Sequence, residues 1–575
     1  MSQSRIDRED VPLRDRVAAK PRPALLWVAG ALFLLALELG ALAGTIVDVG
    51  GATGNTLANG VMALFDSTSG TAMVGGVGLD YGAVVGALIL AAITFVFAMA
   101  LTALIPLGLT KRLGLVEAVE RRELPLGIVE WSLVTAVLLT VIVLLTVDPL
   151  TVVFGALVSA LDAVSELPTL LSRDVIPNQG YQTGDGAWKG TFLGLEPGVA
   201  WAIRASLIYA YVVAWLLWLW RGYETFREEY RAADWTPRDD FIDRFRGHWW
   251  GISGGVLVVF FIVMALFAPS LATVPISENQ YNPYAESAEF KYYDEEAGEV
   301  QTATQGEANA QSLSRGNTDT VVEPLEYDDY GRFHPAGTTP AGKDMWTFIV
   351  HGARVSLFIG LMAITLGTII AAILALASAY YKGLADLATV VTSDSIQALP
   401  FLLVAMMLFI LFRNHPLSEI YNGGFLFALV FGFFYWPALW RAVRGPALQI
   451  SEEEWIDAAK SFGQRPAVIM RKHMAPYIAS YLLIYASLSV GGVVIGVAAL
   501  SYLGIGIPKP TPEWGRLISE GEQYITTKSW HVATVPGILI TLLVIGFNAF
   551  GDGVRDALDP QTEGSESAAT TGGGG

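Results

Sequence analysis

The chain of 575 residues contains no cysteine, which excludes disulfide staples and thiolate metal sites. Its six histidines stand singly, with no H-E-x-x-H pair among them, so no metal site is expected. No G-x-x-x-x-G-K-[ST] loop occurs, and the chain itself is not expected to bind or hydrolyse ATP. Nothing groups a serine, threonine or lysine nucleophile with a base, so neither catalytic residues nor a bound cofactor are expected, and the protein reads as a non-enzyme. Charge is scarce at 16%, and 54 acidic against 36 basic residues leave a net −18, which excludes a basic nucleic-acid surface. Arginine outnumbers lysine, and an acidic, lysine-poor surface suits high salt, where hydrated carboxylates keep a protein soluble. A halophilic archaeal source is expected on that ground; a high-GC organism with an acidic external loop is the competing reading.

What the chain has instead is apolar length. Hydrophobic residues make up 53% of it, and several runs exceed the ~18–20 residues that cross a hydrocarbon core. Within lipid every backbone amide must find an internal partner, so these runs should be helices. They lack the ten-residue alternation of barrel strands. The expectation is an all-α integral membrane protein of about ten transmembrane helices, multi-pass in the cell membrane, with both termini in the cytoplasm.

Loop charge sets the orientation. Residues 1–23 are polar and arginine-bearing, a cytoplasmic tail; a cleavable signal peptide is not expected, because the apolar run that follows is too long and more spans come after it. Spans follow at Ala24 to Val47, Gly82 to Leu109, Leu126 to Val147 and Val199 to Trp220. Asp48 to Tyr81 holds no Lys or Arg, whereas Lys111, Arg112, Arg121 and Arg122 crowd the next loop, which places the first loop outside and the second inside. Leu150 to Val164 is apolar but too short to cross, an interfacial or re-entrant piece. Residues 24–248 thus form a four-span N-terminal domain. Glu38 and Glu130 lie at membrane depth, where ionisable groups are costly; Arg204 could pair with them for packing, or the three could form an ion pathway.

A further helix is expected over 249–271, then a long hydrophilic external segment at 272–346, rich in Glu, Asp, Tyr, Asn and Gly. Its low apolar content predicts a disordered or loosely folded appendage, or else a docking surface for an external protein. Residues 347–560 should make the remaining five spans, with an external re-entrant or loop region from Gly504 to Ser529 and a low-complexity tail at 561–575.

Between two of these spans lies a polar island, 451–476, SEEEWIDAAKSFGQRPAVIMRKHMAP. Ser451 with Glu454 has the spacing of a capping box, predicting a helix that presents Ile456, Ala459 and Phe462 on one side. Gly463 should end it in the left-handed conformation. Pro466 should open a second short helix that Pro476 stops. A knuckle of this kind is either shaped to be gripped or lies as an amphipathic loop on lipid headgroups.

Asp457-Ala458-Ala459, three residues, Gly463, then Ile469, His473 and Pro476 resembles the EAA loop of ABC-importer permeases, with Asp457 where glutamate is usual and Tyr477 where asparagine often follows the proline. Pro335 to Leu357, Trp436 to Gly445 and Ser501 to Pro560 are similar to the C-type permease subunit of dipeptide, oligopeptide and nickel importers. The likeness covers roughly the last three hundred residues and leaves the first two hundred and forty unmatched. It implies a six-helix type I importer core at the C-terminal side, in which 451–476 couples to an ATPase. It also implies a second permease subunit, two cytoplasmic ABC ATPase subunits that carry ATP and magnesium, and an extracellular substrate-binding protein. Peptides are the implied substrate, with nickel or oligosaccharides as alternatives. An ion-coupled secondary transporter built on Glu38, Glu130 and Arg204, or a scaffold that has lost transport, are the competing functions.

Overall fold

The computed structural model describes residues 11–40, 71–74, 77–80, 169–233, 235–279, 289–294, 296–314, 320–412, 420–507 and 511–558, with a few isolated positions between them. Among these residues, six helices are long and apolar enough to cross a membrane, and eight if two sharply bent pairs each count as one. The spans expected at Gly82 to Leu109 and Leu126 to Val147 lie outside the described residues, apart from isolated positions.

The first bent pair is α1 (Leu13–Ala19) and α2 (Pro21–Leu37). A small hairpin, β1 (Thr71–Val74) with β2 (Val77–Asp80), is followed by β3 (Tyr181–Gln182), β4 (Trp188–Lys189) and the long helix α3 (Pro197–Thr225). Helix α3 runs antiparallel to α2. Trp27 and Trp218 each donate an indole N–H to the other's carbonyl at 3.0 and 3.1 Å, and the Tyr211 hydroxyl donates to Leu34 O. Glycines at Gly30 and Gly222 leave room for those two indoles.

The expected pairing of Glu38 with Arg204 does not form. Arg204 is fully buried, but its guanidinium donates to Ile176 O, Asn178 Oδ1 and Ala272 O at 2.8–3.0 Å. Glu38 instead accepts the Leu171 amide. A fork of N–H donors meets converging carbonyls as readily as a carboxylate, and the chain supplies those carbonyls closer by. Glu130 lies outside the described residues.

After α4 (Pro237–Gly247) come α5 (Trp249–Leu266) and α6 (Ala268–Leu271). The C-terminal bundle is completed by α8 (Met345–Tyr381), the bent pair α9 (Gly383–Ala398) and α10 (Phe401–Leu411), α11 (Gly424–Ser451), a run from Pro466 to Tyr502, and a last helix, His531–Leu558. Water-driven burial gives little between helices in lipid, so close backbone approach must hold them. Glycines provide it: a Cβ on Gly254 would meet Phe550 N at 2.4 Å, one on Gly553 would meet Gly251 Cα at 2.5 Å, and one on Gly432 would meet Ala363 O at 2.9 Å.

The segment 272–346 is where expectation and structure part. Its described residues are folded, not loose. Strands β5 (Glu289–Asp294) and β6 (Glu299–Thr304) make an antiparallel hairpin, helix α7 (Gln305–Gln311) follows, and β7 (Glu326–Tyr327) pairs with β8 (Phe333–His334). Thr304 and Glu307 cap α7 reciprocally. The segment lacks apolar bulk, and buried charge takes its place. Arg332 binds Asp328 at 2.6 Å, Gln305 at 2.7 Å and Asn309 at 2.9 Å. His334 lies between Asp344 at 2.8 Å and Asp328 at 3.4 Å. Asp344 caps α8 through the Thr347 amide and accepts the Thr273 and Thr347 hydroxyls. The segment is thereby tied to the end of α6 and the start of α8. Low hydrophobicity predicts disorder only when nothing else compensates chain entropy, and a buried network of ion pairs and hydrogen bonds does so here.

Candidate functional site: the 451–476 knuckle

The island folds as two short helices at the end of the bundle opposite the 272–346 segment. Helix α12 spans Glu454–Ser461 with Glu453 at its N-cap. The expected capping box at Ser451 is absent, because Ser451 closes α11 and its hydroxyl donates back to Leu448 O at 2.7 Å. That intrahelical partner satisfies the side chain before a new helix can use it.

The turn itself follows the glycine expectation. Gly463 has φ +69°, its amide donates to Lys460 O, and the Gln464 amide donates to Ala459 O. This crossed pair of bonds satisfies the last carbonyls of α12 and fixes the exit direction of the chain. Nothing crowds Gly463, so backbone conformation and not space selects glycine there. Pro466 occupies the first position of α13 (Pro466–Ile469).

Contrary to the expectation from the sequence, Pro476 does not stop that helix. The chain passes through a π-turn, Met470–Met474, and continues as α14 (Ala475–Tyr502). Proline lacks an N–H and its ring crowds the preceding turn; the wider π-turn immediately before it provides the slack. The second arm of the knuckle is thus the foot of a long helix.

One face of the knuckle is anchored. Ile456, Ala459, Ile469 and Met474 are buried, packing with Trp436, Leu439, Trp440, Val443 and Ala447 of α11 and with Ala371, Ala375 and Ala379 of α8. Ionic braces flank this core. Arg444 grips Asp386 with two bonds of 2.8 and 2.5 Å, Arg441 pairs with Asp394, and Lys382 with Glu452 at 3.3 Å. His473 joins the two arms through Gln464 at 3.1 Å, and Trp455 stacks on Tyr477.

The other face is bare. Asp457, Ala458, Gly463 and Pro476 are exposed; Asp457 binds only its own helix's Lys460 among the described residues, at 2.9 Å. Phe462 was expected on the same side as Ile456 and Ala459, yet it is 85% exposed. It follows the last turn, where the chain swings into the glycine joint, so helical periodicity no longer aims it at the core. The structure therefore divides the predicted residues: Ala459 and Ile469 fasten the knuckle, His473 links its arms, and Asp457, Ala458 and Gly463 face outward with Phe462 at the tip. The sequence places Phe462 on one side of the helix with Ile456 and Ala459; the signal that it sits beyond the helix is its place directly before the glycine.

At the far end, a short helix α15 (Trp514–Gly521) is wedged into the bundle ahead of α16 (His531–Leu558). Trp514 is fully buried and donates to Ile349 O at 2.9 Å. A Cβ on Gly515 would stand 2.2 Å from Ala498 O, so the wedge sits directly on α14.

Comparison with known proteins agrees with this architecture. Residues 363–564 match the family described as binding-protein-dependent transport system inner membrane component, and residues 236–290 match the N-terminal TM domain of oligopeptide transport permease C. The chain is 33% identical over 249 residues to a putative peptide transport system permease protein of Brucella suis, covering 43% of this chain and 81% of that one. It is 36% identical over 228 residues to a dipeptide transport system permease protein of Alkalihalophilus pseudofirmus, covering 40% and 72%. A glutathione transport system permease protein of Escherichia coli is 29% identical over 329 residues, covering 57% and 92%. The chain belongs to the binding-protein-dependent transport-system inner-membrane components, the multi-pass permease subunits of ABC importers.

Proposed function

We propose that this chain is one of two transmembrane subunits of an ATP-driven importer for short peptides, with both termini and the 451–476 knuckle in the cytoplasm. Two ATPases would grip the exposed face of the knuckle and of its counterpart on the second permease subunit, and an external binding protein would deliver the substrate. The observation that carries this reading is the asymmetry of the knuckle: one face locked by Ile456, Ala459 and Ile469, the other presenting Ala458 and Phe462 with no partner among the described residues. A loop resting on lipid would need its apolar residues on one continuous outward face, whereas here Ile456, Ile469 and Met474 point into the bundle and only Trp455, Phe462 and Val468 among the large apolar side chains are exposed.

Peptides are favoured as cargo because the named relatives include peptide, dipeptide and glutathione systems, and glutathione is itself a tripeptide. The test is Gly463→Val in the reconstituted complex. A β-branched residue at φ +69° costs ~1–2 kcal/mol and drives the joint out of shape. Membrane insertion should survive while ATP-driven peptide uptake is lost; normal uptake would remove the coupling role.

A further inference from the structure

A cavity of about 1030 Å³ opens at the end of the bundle opposite the knuckle, comparable to the larger small-molecule sites. Its walls come from the first turns of α8, the 339–343 stretch of the folded segment, the turn before α11, and the 509–524 wedge. In a chain of net charge −18, the cavity is lined by Lys343, Arg354, Lys509 and Arg516, with Glu520 as the one carboxylate among the lining residues.

The pairing inside leaves positive charge over. Glu520 binds Lys509 at 2.7 Å and stands 3.8 Å from Arg516. Arg516 also feels the buried Glu513 carboxylate behind the wall, which accepts its backbone amide, and its guanidinium is held by the carbonyls of Ile507 and Thr511, which orient it without cancelling its charge. Among the described residues, Arg354 makes no hydrogen bond or ion pair, and the Lys343 ammonium rests only over the Phe348 ring, at 5.7 Å. Burial holds that ammonium below its ordinary pKa, and Lys509 and Arg516 add to this against the opposing pull of Glu520. One turn before Arg354, the buried His351 Nε2 has no partner among the described residues. Phe348, Val355 and Leu517 supply apolar wall beside these groups.

Desolvated, uncompensated cations in a concave site are costly unless an anion visits. We propose that this cavity is an anion-selective receiving site in which Arg354 and Lys343 take the C-terminal carboxylate of an incoming peptide, its side chains lying against Phe348, Val355 and Leu517. That the anion belongs to a peptide rests on the importer reading above; the selectivity for anions rests on the cavity alone.

The absence of cysteine makes a local test available. Gln523 is exposed on the cavity wall, and Gln523→Cys places the chain's sole thiol there. In the assembled complex, modification of this chain by a negatively charged and a positively charged methanethiosulfonate reagent is compared, read by mass. Focusing by the cavity should favour the anionic reagent by roughly tenfold or more relative to a free thiol. Arg354→Gln, and separately Lys343→Gln, should bring the ratio down severalfold. Trialanine should slow the anionic reaction while trialanine amide does not, a comparison that needs no second substitution. A ratio near one, equal protection by acid and amide, or a thiol that neither reagent reaches would each overturn the proposal. Loss of ATP-driven peptide uptake with the anion preference intact would instead sink the importer reading and leave an anion site of other purpose.

Discussion

Replacing His334 with leucine removes the centre of the buried network that folds the 272–346 segment, and the structure sets the size of the effect. His334, Asp328 and Asp344 are each less than a tenth exposed, and the imidazole is the group that touches both carboxylates. Breaking a buried charge pair by deleting one partner costs ~3–5 kcal/mol. The lower end applies, because Asp328 keeps Arg332 at 2.6 Å and Asp344 keeps the hydroxyls of Thr273 and Thr347. A loss of ~3 kcal/mol multiplies the open population of the segment by about one hundred. Proteolysis follows that population when reclosing outruns cleavage. Cutting within 320–344 should therefore be about two orders of magnitude faster in His334→Leu than in the parent.

The same comparison has a pH signature. Burial alone would raise both carboxyls, but the charges and hydrogen bonds of Arg332 and His334 at Asp328, and of His334, Thr273 and Thr347 at Asp344, outweigh it and hold them below their ordinary range. Burial alone would lower His334, but the two carboxylates outweigh it and raise the imidazole. A lowered acid contributes fully above its unfolded value, near 3.8, and loses that contribution as pH falls through the folded value; a raised base contributes fully below 6.5 and loses it as pH climbs through the folded value. The network is thus complete between pH 3.8 and 6.5. The difference between parent and variant should be largest there and shrink on the alkaline side. A change in cleavage of less than about threefold at pH 6, or a difference that grows with alkali, would refute the reasoning.

Three further outcomes follow from the packing. Phe462→Ala should change the stability of the isolated chain by less than ~0.5 kcal/mol, since the ring is exposed, yet should reduce co-purification of ATPase subunits; unchanged recovery would show that the tip makes no contact. Arg444→Gln and Asp386→Asn, taken singly and together in thermal unfolding, should show a coupling of at most ~1 kcal/mol, because the pair is only partly shielded from solvent; additivity would show that the brace does not act. Gly553→Leu, which puts a side chain where Gly251 Cα lies 2.5 Å from the added Cβ, should separate α5 from α16 at a cost of at least ~1–3 kcal/mol, seen as loss of a monodisperse chain in detergent.

The parts of the molecule that could be read in advance are those governed by local rules. Hydrophobic run length placed the long helices of the C-terminal bundle, since lipid leaves the backbone no other solution. Glycine chemistry located the joint at Gly463, because only a left-handed residue allows the two crossed bonds that end α12 there. Composition failed where stability came from pairing. The 272–346 segment looked too polar to fold, and the contacts that fold it join Arg332 to Gln305, and Asp344 to Thr273 and Asn279, across loops that no local window spans. The Thr304–Glu307 capping box was a visible hint of order. Arg204 was misjudged for the same reason: two of its three partners are backbone carbonyls, which carry no sequence signal, and the third is the side chain of Asn178 in a distant loop.

The two arms of the knuckle meet the rest of the protein differently, and this bears on how force at one end could reach the other. Both arms are clamped to α11 and α8 by side chains, Ile456 and Ala459 from α12 and Ile469 and Met474 from the second arm, but the first ends there. The second is continuous with a helical run from Pro466 to Tyr502, a rod of roughly 55 Å at 1.5 Å per residue. Its far end leads into the stretch that carries Lys509, Arg516 and Glu520, and the α15 wedge sits against it at Gly515 and Ala498. Helix α8, of the same 37 residues, is pinned at its Asp344 cap by the folded segment and presents Arg354 to the same cavity from the opposite wall. Were the knuckle pulled by an ATPase, as proposed above, a pull on Gly463 would run along one wall while the folded segment is tied to the other. On this geometry the 272–346 segment is the fixed side of the cavity, and loosening it through His334 should weaken the coupling between knuckle and cavity even though neither is touched.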